Sequence, residues 1–213
     1  GITILSMMKD EGHCLVDWLA YHHAAGADRI VVYTNDCSDG TDRMLDRLQA
    51  MGLVHHFRNE VPAGRKPQPH ALSLAEANPA VTASDWLLVM DADEFVAVKT
   101  GAGRLPDLVA ALPDGTDACA ITWRFFGSSG LTDWNPGLVT ESYTRAAPDG
   151  FRKGWGVKTL FRPFPHMKLG IHRPTVHGAR TDAARARALA AQRWVNGSGR
   201  PMPADFVRAG WRS

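Results

Sequence analysis

The sequence predicts an α/β fold: a mostly parallel central sheet with helices on both faces. Three observations predict it. Apolar, often β-branched runs alternate with segments of helical periodicity through residues 1–125, and this alternation builds parallel sheets flanked by helices. The runs are continuous rather than alternating, as in strands buried on both faces. Polar clusters follow the second and fourth runs, Asn35 to Asp39 and Asp91 to Glu94, and such sheets bind ligands beyond the carboxyl ends of their strands.

The elements follow in order. Ile2 to Met7 reads as the first strand. Leu15, Trp18, Leu19 and His22 recur at helical spacing through Cys14 to Ala25, and Gly26 ends that helix. Arg29 to Thr34 is the second strand. Asp39 or Thr41 can cap the next helix, which places Met44, Leu45, Leu48 and Met51 on one face. Leu53 to Phe57 is the third strand. Ala71 to Ala77 reads as a helix closed by Pro79. Trp86 to Met90 is the fourth strand and runs into Asp91. Leu105 to Leu112 is a helix between Pro106 and Pro113, and Cys119 to Trp123 is the fifth strand. Beyond residue 125 glycine and proline punctuate the chain. Leu138 to Thr144 and Val157 to Arg162 read as short strands, Asp182 to Val195 as an arginine-rich helix, and 196–213 as loop. One domain is expected over 1–213: a Rossmann-like nucleotide-binding half, 1–125, and an irregular acceptor-side half with a basic tail, 126–213.

Composition narrows the function. Of 213 residues, 45% are hydrophobic and 22% charged, which argues against a disordered or fibrous chain. No run approaches the ~20 apolar residues of a membrane-spanning helix, and the first residues lack a signal-peptide pattern. The three cysteines, Cys14, Cys37 and Cys119, are odd in number and widely spaced. Unpaired thiols in a reducing, cytoplasmic setting are therefore expected. The net charge of +2 divides unevenly: residues 1–94 carry 7 basic and 14 acidic side chains, and residues 95–213 carry 17 and 8. Such a split suits a site that handles both a metal and an anion, or a basic surface.

Asp91-Ala92-Asp93-Glu94 closes an apolar strand, and Asp91 and Asp93 would point to one side of it. Adjacent carboxylates repel unless a cation compensates them, and oxygen ligands at this spacing suit Mg²⁺ or Mn²⁺. In the turn after the second strand, Asp36 can accept a hydrogen bond from a base or ribose. Asp39 is better placed to cap the helix that follows.

These segments resemble the family 2 type of glycosyltransferase with a GT-A fold, in the subgroup carrying Asp-x-Asp-Glu-Phe. The likeness rests on Met8-Lys9-Asp10-Glu11-Gly12, on Ile30 to Thr41, on Pro67-Gln68-Pro69-His70, on Asp85 to Phe95, on Trp123 to Gly130, on Lys158 to Pro163 and on His172-Arg173-Pro174. It implies a nucleotide-diphosphate sugar donor, a Mn²⁺ or Mg²⁺ cofactor and an acceptor hydroxyl of a saccharide or other molecule. It places base and ribose near Lys9, Glu11 and Asp36, with Gln68 near donor or acceptor. It sets Asp91 toward ribose and metal and Asp93 on the metal, with His172, or alternatively His177, completing the metal site. Members of that group run on past the point equivalent to Ser213, so a further segment is expected there.

On this reading the diphosphate leaves against the metal's charge, with Lys158, Arg162 or Arg173 adding to it. The resemblance implies inversion at the sugar carbon, for which one carboxylate, Glu94, Asp133 or Glu141, serves as base. Trp134 and Trp155 are candidates for sugar stacking. Trp18, Trp86 and Trp123 read as core, and His22-His23 and His55-His56 as poor metal ligands, because adjacent side chains diverge. Three other classes fit less well. A nucleotidyltransferase wants a glycine-rich basic loop after the first strand, where Lys9 to Gly12 stands. An aspartyl phosphatase wants a threonine after its nucleophile, where Phe95 and Val96 stand. The third is a non-catalytic module that docks through the seven arginines of 179–213, a stretch that also permits peripheral membrane contact. No nucleic-acid partner is expected of so nearly neutral a chain.

Overall fold

A computed structural model describes residues 1–151 and 156–202. Seven strands form one sheet in the order β3-β2-β1-β4-β6-β5-β9. They are β1 (Ile2–Met8), β2 (Arg29–Thr34), β3 (His55–Arg58), β4 (Trp86–Val89), β5 (Ala118–Thr122), β6 (Val157–Phe161) and β9 (Trp194–Asn196). Strands β1 to β4 run parallel; β6 runs antiparallel to β4 and β5, and β9 pairs parallel with β5. A two-stranded ribbon, β7 (Met167–Lys168) with β8 (Thr175–Val176), lies apart.

The continuous apolar strands are sorted by the pleat into two cores. Ile4, Met8, Ile30, Val32 and Leu88 face α1 (Leu15–Ala24), α2 (Thr41–Ala50) and α5 (Leu105–Ala111). Leu5, Met7, Val31, Tyr33, Leu87 and Val89 face α3 (Pro67–Ala75), α4 (Pro79–Thr82) and, through Leu189, α7 (Asp182–Leu189). Helices thus cover both faces, as predicted. The helix α1 stops because Gly26 takes φ +92°, where a Cβ would strike Pro106 at 2.8 Å.

Several boundaries differ from the sequence reading. Pro79 opens α4 rather than only closing α3. Its ring fits the first helical turn, and Asn78 Oδ1 caps the Ala80 N–H at 2.9 Å. The helix α3 begins at Pro67, not Ala71, so Gln68 lies in its first turn rather than in a loop. Leu138 to Thr144 holds a one-turn helix, α6 (Val139–Ser142), in place of a strand; Asp17 of α1 accepts the Val139 N–H at 2.7 Å, and among the described residues no strand pairs with this segment. The expected helix from Asp182 to Val195 stops at Leu189. Trp194 and Val195 are buried, and the last segment pairs with β5 as the edge strand β9. The ribbon β7–β8 has no signal in the sequence, since two-residue strands carry no readable period. Among the described residues no helix is long and apolar enough to cross a membrane.

Candidate active site

Because β1, β2 and β4 are parallel, their carboxyl ends open on one edge, and three loops meet there. The loop after β1 is tied to the loop after β2. Asp10 Oδ1 accepts the Ser38 N–H at 2.6 Å and the Asp39 N–H at 3.2 Å, and Asp39 Oδ2 accepts the Gly12 N–H at 2.9 Å. Asp39 Oδ1 also accepts from Thr41 N–H and Oγ1 at 2.8 and 2.6 Å, which draws its carboxyl down to about 2; the N-cap position itself is Gly40, so Asp39 serves the first helical N–H from one residue further out. Asp10 and Asp36 both sit at positive φ, +56° and +47°. Asp36 is exposed, as is Lys9, and Glu11 is half-buried.

The acidic segment after β4 is a tight turn rather than a strand extension, so Asp91 and Asp93 do not share a pleat face. Glu94 N–H donates to Asp91 O at 3.2 Å, and Glu94 Oε2 accepts the Asp91 N–H at 2.9 Å. Three side chains of α1 hold the chain that follows. Trp18 Nε1 donates to Glu94 O at 2.9 Å and Tyr21 OH to Val96 O at 2.8 Å, while His22 Nε2 accepts the Val96 N–H at 3.4 Å. Positions 18, 21 and 22 lie on one helix face.

Antiparallel β6 brings a cation to this turn. The pairing of Leu88 with Leu160 carries Lys158 to the level of Met90. The Lys158 ammonium, 4% exposed, donates to Asp91 Oδ2 at 2.8 Å and Ile171 O at 3.0 Å, and lies 3.2 Å from Glu94 Oε2. Asp91 Oδ1 is buried without a hydrogen-bond partner. Burial raises the Glu94 carboxyl above its usual range despite Lys158 and the Asp91 N–H. With Oε2 taken up by these contacts, Glu94 braces the turn.

His172 is part of the same neighbourhood. Its ring is depressed below the usual histidine range by burial and then by the Lys158 charge, against the pull of Asp91. It meets the Trp123 ring edge-on at 5.1 Å. Trp123 is therefore a wall of the site rather than pure core, and Gly156 is the residue that leaves room for its ring. His177 is elsewhere, bonded to Glu76 Oε2 at 2.7 Å. Trp18 and Trp86 are core, as are His22 and His56, which bond to Trp18 O and to Thr34 Oγ1 and Asp46. Arg162 lies over the Trp86 ring at 4.4 Å. Gln68, Asp133 and Glu141 are exposed, and none is brought against the turn by a hydrogen bond or ion pair among the described residues. Trp134 is 74% exposed; Trp155 lies outside the described residues.

Asp93 is exposed and faces Glu11 and Cys14, each of which feels its charge. Burial, ahead of that charge, lifts Glu11 above its usual range. Asp91 and Asp93 each offer carboxylate oxygens, the ligand type that Mg²⁺ or Mn²⁺ takes, and the unpartnered Asp91 Oδ1 is an atom such a cation would satisfy.

Sequence reasoning missed three residues of this architecture: Asp10, Trp18 as a brace, and Asn59, which accepts from His70 Nδ1 at 2.6 Å and donates to Pro67 O at 3.0 Å. The proximity of Asp10 to Asp39 had no signal in one sequence. Trp18 did carry one, since an indole on a core face needs a buried acceptor.

An acidic turn locked by a buried lysine thus lies at the carboxyl edge of the parallel strands, and comparison with known proteins gives the family. The family model described as Glycosyltransferase family 92 matches residues 6–177, and the chain belongs to that family. The expected likeness to a glycosyltransferase is thus met at the level of family 92, while the match is not to the family 2 type. A glycosyltransferase family 92 protein of Ricinus communis is 27% identical over 148 residues, covering 67% of this chain and 26% of that protein. The chain thus spans about a quarter of that relative. Among solved structures, TarS 1-349 of S. aureus is similar over 76% of this chain and 47% of its own, with a TM-score of 0.47 and 13% identity. Glucosyl-3-phosphoglycerate synthase from Mycobacterium tuberculosis, in complex with Mn²⁺, uridine-diphosphate and glucosyl-3-phosphoglycerate, is similar over 60% and 44%, with a TM-score of 0.37 and 18% identity.

Proposed function

We propose that this chain transfers a sugar from a nucleotide-diphosphate donor to an acceptor hydroxyl, with inversion, at the Asp91–Glu94 turn. The observation that carries the reading is the Lys158 ammonium fixed between Asp91 and Glu94, with Asp91 Oδ1 buried and unpartnered beside exposed Asp93. In this proposal Asp93, with Asp91 and His172, would hold Mn²⁺ or Mg²⁺, which would supply Lewis-acid stabilisation of the departing diphosphate. The turn between β2 and α2, with Asp36 at its tip, and Lys9 and Glu11 receive the nucleoside. Lys158 orients Asp91 and adds positive charge where the diphosphate would lie.

Glu94 is bound into the turn, so the base role falls to the acceptor side, where Asp133 and Glu141 stand exposed. That segment also presents Trp134 and Phe126, 74% and 54% exposed, as surfaces for a saccharide face. The single-domain reading and the cytoplasmic setting belong to the same proposal.

Donor hydrolysis tests it. Purified chain is incubated with a panel of nucleotide sugars, with and without Mn²⁺, and the released sugar is followed by NMR. One donor turning over only with metal, and giving first the anomer opposite to the donor's, supports the proposal. Turnover that ignores metal, or retention at the sugar carbon, overturns its metal-dependent or inverting part.

A further inference from the structure

We propose that Glu11, His13 and Cys14 form a binding site for a borderline divalent cation, of which zinc and cobalt are the type, separate from the all-oxygen Asp91/Asp93 set. The three residues offer one oxygen, one nitrogen and one sulfur ligand within 4.8 Å of one another. They converge because they lie on one turn between β1 and α1, closed by the Cys14 and Leu15 N–H groups on Glu11 O at 3.2 and 3.1 Å. The ligand spacing is the decisive observation. Cys14 Sγ stands 3.8 Å from Glu11 Oε2, at the outer limit for a thiol hydrogen bond. Around a tetrahedral zinc, with Zn–S ~2.3 Å and Zn–O ~2.1 Å, sulfur and oxygen stand about 3.6 Å apart. The remaining thiol contacts, Glu11 O at 3.5 Å and Ala92 O at 3.8 Å, are weak.

The charges agree with a cation. Glu11, Cys14 and Asp93 act on one another electrostatically, and His13 is the nearby group that offsets Glu11. Lys158 does not serve here, because its contacts are with Asp91, Glu94 and Ile171. A sulfur–nitrogen–oxygen set selects zinc or cobalt over Mg²⁺ and Mn²⁺, which prefer oxygen. On binding, the thiol releases its proton to solvent and sulfur coordinates as thiolate. Water completes the tetrahedron.

Co²⁺ titration reads this site without any assay of activity, through the thiolate-to-cobalt charge-transfer absorption. The expected result is a saturable band that Zn²⁺ bleaches and Mg²⁺ leaves alone. It persists in Cys37→Ser and Cys119→Ser and is lost in Cys14→Ser. His13 is exposed, so His13→Ala folds. Loss of a ligand should weaken Co²⁺ by at least the roughly tenfold that losing a mere supporting partner costs. If circular dichroism shows that Cys14→Ser does not fold, His13→Ala and Glu11→Gln decide. No band, a band surviving in folded Cys14→Ser, or unchanged affinity in both other variants overturns the site.

Discussion

At the residue scale, a buried ammonium and a buried imidazole set the behaviour of the site. Lys158 is 4% exposed and its partners Asp91 and Glu94 are 31% and 18% exposed. Removing one partner of a buried pair leaves uncompensated charge behind. Because the carboxylates retain some water, Lys158→Met should cost about 3 kcal/mol, the low end of that range, and lower Tm by roughly 6–12 °C in a chain of this size. Thermal denaturation by circular dichroism checks it. His22 is fully buried; Nδ1–H donates to Trp18 O while Nε2 accepts from Val96 N–H, so the neutral ring fits and the cation does not. Burial takes it from 6.5 down to about 4. A group whose folded value is depressed contributes stability that is present above 6.5 and lost as pH falls toward 4. The loss is on the order of 3 kcal/mol. Glu11 and Glu94, raised by burial, act in the opposite sense over their own range. Urea midpoints of the wild type against His22→Gln isolate the histidine: the variant should lack this part of the acid slope.

At the element scale, the DxDE turn has its shape because α1 holds it. Trp18, Tyr21 and His22 each bond to residues 94–96, so helix position is passed to Asp93 through the backbone. Trp18→Phe retains most of the packing and orphans the Glu94 carbonyl. It should cost about 1–3 kcal/mol and weaken donor binding more than an equal cut in stability elsewhere in α1, as by Leu19→Val. Calorimetry and melting curves on both variants separate the two effects. The elements themselves were mostly legible. The uninterrupted run Arg29–Thr34 ends in the polar turn from Asn35, and the helix Leu105–Ala111 is announced by Pro106 in its first turn and Pro113 just beyond it. The segment from Leu138 to Thr144 was not, because its apolar residues fit a strand locally and only Asp17, far away in sequence, decides otherwise. Trp194 and Val195 continue a helical pattern in the sequence but lie in a strand for the same reason: pairing with β5 outweighs local propensity.

At the scale of the whole molecule, the charge division acquires a structural meaning. The acidic half supplies the loops after β1, β2 and β4. The basic half returns through antiparallel β6 and delivers Lys158 to the acidic turn. The sheet and the carboxyl-edge position of the two acidic clusters followed from alternation alone. Which carboxylate meets the lysine did not, since it depends on the β4–β6 register, a contact between residues 67 positions apart. His172 could be nominated but not distinguished from His177 until the ribbon β7–β8 and Glu76 placed them apart.

The central claim is a metal-dependent nucleotide-diphosphate site at the end of β4, and the most direct test is thermal shift with a series of nucleoside diphosphates, with and without Mn²⁺, on the wild type and Asp93→Asn. Asp93 is exposed, so the variant should fold. Metal-dependent stabilisation by one diphosphate, abolished in Asp93→Asn, is the predicted result. No stabilisation by any diphosphate with metal present, or a shift that Asp93→Asn leaves unchanged, would contradict it.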